Sequence, residues 1–62
     1  MKTTLQALNG GTKQVTYGDP VRNLVTNERA RFCGMNGEMV ELMDDDGRRQ
    51  PDLWNVSQIA AY

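Results

Sequence analysis

Three turn signals cut this 62-residue chain into short pieces: Asn9-Gly10-Gly11, Asn36-Gly37 and Asp46-Gly47. Asn, Asp and Gly tolerate the positive φ that tight hairpins demand. A fourth break, Gly18-Asp19-Pro20, ends in a residue with no amide proton, which belongs at a strand start or a sheet edge. Turns about every ten residues, with β-branched and aromatic residues between them, predict an all-β fold. The expectation is five to six short antiparallel strands in a small barrel or a curled sheet.

The segments support this in turn. Thr3 to Leu8 can pair with Thr12 to Tyr17 across a three-residue loop, which sets Leu5 opposite Val15 and Thr3 opposite Tyr17. A short helix over residues 2–8, ended by Gly10, is the alternative. Val21-Arg22-Asn23-Leu24-Val25 reads as a strand in which Leu24 adds burial, and Thr26-Asn27-Glu28 as the connection after it. A further strand begins near Arg48, and Pro51 interrupts it or marks its exposed edge. Leu53, Val56 and Ile59 recur every three residues, which suits one 3₁₀ or helical turn. Ala60-Ala61-Tyr62 can close the fold as a short strand.

Residues 29–43 carry the most readable hairpin. With a loop of Asn36-Gly37-Glu38, Met35 faces Met39, Cys33 faces Glu41, and Phe32 lies diagonally near Leu42. Ala30, Phe32, Gly34, Val40 and Leu42 then share one face, an ordinary core. Arg31, Cys33, Met35, Met39, Glu41 and Met43 share the other, a Met/Cys stripe edged by charge. A domain this small cannot bury both faces of one sheet. The alternative is a loop of Asn36-Gly37 alone, which mixes the faces and sends some methionines partly into the core.

Composition removes several kinds of function. The chain has one cysteine and no histidine. It therefore cannot form an internal disulfide, and it lacks the ligands of a structural zinc site and the base of a catalytic triad. Asp44-Asp45-Asp46-Gly47 fails the EF-hand pattern, since Arg48 follows and no late glutamate completes the loop. Asn9-Gly10-Gly11-Thr12-Lys13 lacks the spacing of a phosphate-binding loop. No enzyme and no cofactor is expected. The N-terminus lacks the apolar run of a signal peptide, and no stretch approaches a membrane span. A reduced, cytoplasmic setting is the simplest expectation for a lone cysteine. The net charge of −1 favours neither nucleic acid nor a membrane in bulk.

The order of signals from Gly18 onward resembles that of SH3-like small barrels. These open with a Gly-Asp-x-Val segment, here Gly18-Asp19-Pro20-Val21. They continue through an Asn-Gly hairpin, here Ala30 to Val40, an acidic Asp-Asp-Gly turn, and a strand with an aromatic before a closing one-turn helix, here Trp54 to Ile59. The resemblance implies an SH3-like core over residues 18–62 with an N-terminal hairpin in residues 1–17, all one domain. The Gly18 to Arg22 segment is also similar to the opening of the type II dihydrofolate reductases. Their Val-Gln-Ile-Tyr active-site segment is absent, and Val56-Ser57-Gln58-Ile59 only scrambles those letters, so their activity is not carried over. Many short bacterial, plasmid and phage proteins look like this.

The expected function is a non-enzymatic protein-interaction module that self-associates or docks on a larger partner. Its size and composition suit an accessory protein of a phage or mobile element. Met35, Met39, Met43 and Trp54 are the expected contacts, with Arg31 and Glu41 setting register. The alternative is a nucleic-acid-binding barrel that uses Arg22, Arg29, Arg31, Arg48 and Arg49, with Trp54 and Tyr17 as stacking aromatics.

Overall fold

A computed structural model describes residues 3–62, so Met1 and Lys2, at the start of the expected N-terminal hairpin, lie outside it. The described chain is all-β, with seven strands and one 3₁₀ turn. Strands β1 (Thr3–Gln6) and β2 (Thr12–Val15) form a two-stranded sheet. Strands β3 (Pro20–Asn23), β4 (Arg29–Asn36), β5 (Met39–Met43), β6 (Trp54–Asn55) and β7 (Ile59–Ala61) form a five-stranded sheet in the order β6-β5-β4-β3-β7. The 3₁₀ turn (Val56–Gln58) links β6 to β7, where the three-residue spacing of Leu53, Val56 and Ile59 predicts it. Asn55 caps this turn, its side chain accepting from the Ser57 amide at 3.0 Å.

The sheets do not close into the expected barrel. Strands β6 and β7 lie at opposite edges of the sheet, and no pairing joins them. Two features prevent closure. Strand β6 is only two residues long, because Pro51 breaks the segment: Arg49 bridges to Met43, the Gln50 amide donates to Leu42 O, and pairing resumes only at Trp54. The outer edge of β7 is already taken by the N-terminal hairpin, through an Ala7–Ala61 bridge and the Leu8 amide donating to Ala61 O at 3.1 Å. The Gln6 side-chain amide adds a bond to Ile59 O at 2.8 Å. One edge is thus covered by another element and the other kept short, both devices that discourage unwanted pairing.

One core lies between the sheets. Leu5 and Val15 from the N-terminal hairpin pack with Val21, Ala30, Phe32, Val40, Leu42, Trp54, Ile59 and Ala61. Residues 3–15 form a hairpin rather than a helix, but the register is shifted by two. Leu5 faces Lys13, and Val15 faces Thr3. The loop spans residues 7–11, closed by Ala7 N to Gly11 O and Gly10 N to Ala7 O. A shift of two leaves every side chain on the same face, so Leu5 and Val15 stay buried.

The strand expected over residues 21–25 ends early. Leu24 and Val25 are exposed in a turn, although both suit a strand. The reason is Asn23. It is buried, and its Oδ1 accepts from the amides of Val25 at 2.8 Å and Thr26 at 3.0 Å. This local bonding offers the backbone a turn in place of a ladder. Asn27, at φ +69, completes the reversal.

Asn23→Ala should therefore lower stability by about 1–2 kcal/mol, by stripping two amides of their acceptor. Val25→Ala should change it by less than about 0.5 kcal/mol. Urea midpoints followed by circular dichroism separate the two. Equal midpoints would show that the turn does not depend on Asn23.

Candidate protein-binding surface

The hairpin of β4 and β5 turns on two residues, not three. Asn36 pairs with Met39, and Gly37-Glu38 form the loop, with Gly37 at φ +64. Positive φ at the first loop position is the requirement of a two-residue hairpin with Gly there. The register then shifts between Phe32 and Gly34, with Cys33 as the extra residue of a β-bulge. Beyond the bulge Phe32 pairs directly with Leu42 and Arg31 with Met43.

This register breaks the expected Met/Cys stripe. Cross-strand partners share a face. Met35 therefore shares the face of its partner Val40, while Met39, Glu41 and Met43 lie on the other. Met43 is only 5% exposed. Its terminal methyl lies 4.0 Å from where a Cβ on Gly18 would sit, beneath the turn of residues 16–19. Met39 is half-buried, with its sulfur 3.9 Å from the Asn55 side-chain amide. Trp54 belongs to the core cluster and is 8% exposed. Met43 and Trp54 are thus core residues, not contacts held out to a partner.

Arg31, through its partner Met43, shares the face of Glu41 as expected, but the two side chains engage different groups. Arg31 donates to Gly18 O at 2.9 Å and to Asp45 at 3.2 Å. Glu41 pairs with Arg49 at 3.0 Å. Cys33 beside Arg49, and secondarily Glu41, hold this exposed guanidinium above its ordinary range. It stays a cation at any pH where the fold persists.

Another surface emerges instead. A groove of about 470 Å³ is lined by Thr3, Thr16 and Tyr17 from the N-terminal part of the chain and by Phe32, Cys33, Gly34 and Met35 of β4. The lining contains no Asp, Glu, Lys or Arg, although Arg49 lies beside Cys33. Tyr17 is 67% exposed and Met35 37%. The Tyr17 position comes from a tight turn. Asp19 Oδ2 accepts from the Thr16 amide at 2.9 Å, and the Asp19 amide donates back to Thr16 O at 3.0 Å. Gly18, at φ +92, lets the chain double back. Tyr17 thereby sits at the tip of a turn, not opposite Thr3 in a strand as expected.

Of the five arginines of the nucleic-acid reading, Arg22 and Arg29 are direct cross-strand partners, and Arg29 and Arg31 line one pocket. Arg22 donates to Asn27 Oδ1 at 2.7 Å, and Arg29 lies 6.0 Å from the centre of the Tyr62 ring. Arg31 and Arg49 face carboxylates, and Arg48 is exposed. Asp44 is occupied by its own loop, accepting from the amides of Asp46 at 3.0 Å and Arg48 at 2.9 Å. No helix among the described residues is long and apolar enough to cross a membrane. No protein family, curated protein or solved structure matches the chain.

Met43→Ala should cost about 2–5 kcal/mol and Trp54→Ala about 3–5 kcal/mol, as buried side chains do. Met35→Ala should stay within about 0.5 kcal/mol of the parent. Equilibrium unfolding by circular dichroism reads all three. Similar values for Met35 and Met43 would restore the single stripe.

Proposed function

We propose that this chain is a non-enzymatic protein-interaction module whose contact surface is the groove lined by Tyr17 and Met35. One observation carries the reading. A tyrosine and a methionine stand exposed together in the lining of one groove, whereas the other exposed large apolar side chains among the described residues, Leu8, Leu24, Val25, Leu53 and Tyr62, lie outside it. Tyr supplies rigid contact area at low entropic cost, and Met adapts its shape to the partner. Ion pairing of Arg31 and Arg49 leaves less free positive charge for a phosphate backbone.

The same reading keeps an SH3-like core. Its support is the order of elements. Strands β3 to β6 run as a meander, a 3₁₀ turn follows, and β7 returns to lie beside β3. A reduced, cytoplasmic setting goes with it, since Cys33 is free and half-buried beside the groove.

Nucleic-acid binding is the second reading. It draws on the direct pairing of Arg22 with Arg29 across β3 and β4, a like-charge pair that costs stability, with Tyr62 beside Arg29.

Linear peptides selected from a random library on the wild-type protein give a probe. Their affinity should fall about thirtyfold or more in Tyr17→Asp and Met35→Asp, on the scale of a lost hot spot. It should stay unchanged in Arg22→Ala/Arg29→Ala. Between 50 and 200 mM salt it should change by less than about threefold, whereas a ligand with six or more phosphate contacts loses about a thousandfold. Tight binding of single-stranded nucleic acid that collapses with salt and with the arginine changes would overturn the protein-binding reading.

A further inference from the structure

Strand β4 is longer than the neighbour that covers it. Strand β3 pairs with it only through Arg31. The chain before β3 reaches one residue further: the Phe32 amide donates to Asp19 O at 2.7 Å, and the Gly18 amide donates to Phe32 O at 2.8 Å. From there β4 runs on to Asn36, paired with β5 alone. Asn36 and Met39 close a two-residue hairpin and so form a hydrogen-bonded pair. The next pair, Met35–Val40, is then of the other kind, and the Met35 N–H and C=O point away from β5. That side is the groove. Among the described residues, none hydrogen-bonds with the Met35 backbone there.

We propose that this groove takes an extended peptide segment of a partner protein by strand addition along the free half of β4. The inference rests on the protein-binding reading and names its mode. A strand edge with unanswered main-chain groups is a template for pairing, and pockets beside it read alternate side chains. Three features choose the occupant. Thr3, Thr16 and Tyr17 line the same space of about 470 Å³ as this edge, a volume that suits a short extended segment. The lining contains no Asp, Glu, Lys or Arg, so the segment presents apolar or uncharged polar side chains to it. The groove is lined by seven residues, a footprint that matches a short segment and falls short of the roughly 20–30 residues a side of a stable interface between folded domains.

The test uses the full chain and a peptide selected from a random linear library. In the free protein the Met35 amide should exchange with deuterium far faster than that of Asn36, although both lie in one strand. Addition of the peptide should slow Met35 exchange about tenfold or more. N-methylation along the peptide should weaken binding about tenfold or more, the scale of one lost hydrogen bond, but only at alternate positions. A Met35 amide already as protected as Asn36 in the free protein would overturn the proposal. So would a peptide that needs Tyr17 yet tolerates N-methylation everywhere and leaves Met35 exchange unchanged; the protein-binding reading would then survive. Selected peptides that bind Tyr17→Asp and Met35→Asp as well as wild type, or a library that yields none, would count against both.

Discussion

The β-bulge at Cys33 is the constraint on which the rest of this structure depends. Gly37 sets a two-residue loop, and that loop on its own would place Phe32 opposite Met43 and Cys33 opposite Leu42. Phe32 would then leave the face of Leu42, and the core would lose its aromatic centre. One extra residue in β4 reconciles turn and core: Phe32 returns to Leu42, both buried. The turn obtains the glycine conformation it needs, and the sheet keeps Phe32 buried opposite Leu42.

The bulge also distributes the methionines and the surface. Met43, past the bulge in register, is sealed beneath the Gly18 turn and crossed by Arg31 reaching to Gly18 O. Met35, on the loop side of the bulge, takes the face of Val40 but lies at its solvent end. Bulges bend a strand and end or re-aim its pairing, often next to functional sites. Here the bulged half of β4 is also the half that runs beyond β3, with Tyr17 lining the same groove. Core registration thus follows from the added residue, and the open edge from the two-residue loop that makes that residue necessary.

Much of the architecture is legible in the residues. The turn pairs fall at turns, the three-residue spacing after Leu53 marks the 3₁₀ segment, and Phe32, Val40 and Leu42 are core. Register is less legible, because it is decided by contacts far apart in sequence. Gly34 in the middle of a strand pattern hints at a bulge, but its weight depends on Phe32 seeking Leu42. The segment Leu24-Val25 is strand-like by propensity and loses to two hydrogen bonds from Asn23. Barrel closure fails for a non-local reason as well: the N-terminal hairpin reaches β7 first. The Met/Cys stripe expected from a three-residue loop rested on one register choice, and a single inserted residue divides it.

The register itself is the most direct point of test. In antiparallel sheets the Hα atoms of non-hydrogen-bonded pairs approach closely and give strong cross-strand nuclear Overhauser effects. The bulged register predicts such an effect between Met35 and Val40, a pair that a three-residue loop does not form. Strong Hα contacts between Gly34 and Val40, with none between Met35 and Val40, would mean a three-residue loop with no bulge. They would contradict this account of the core, of the divided methionines and of the open edge together.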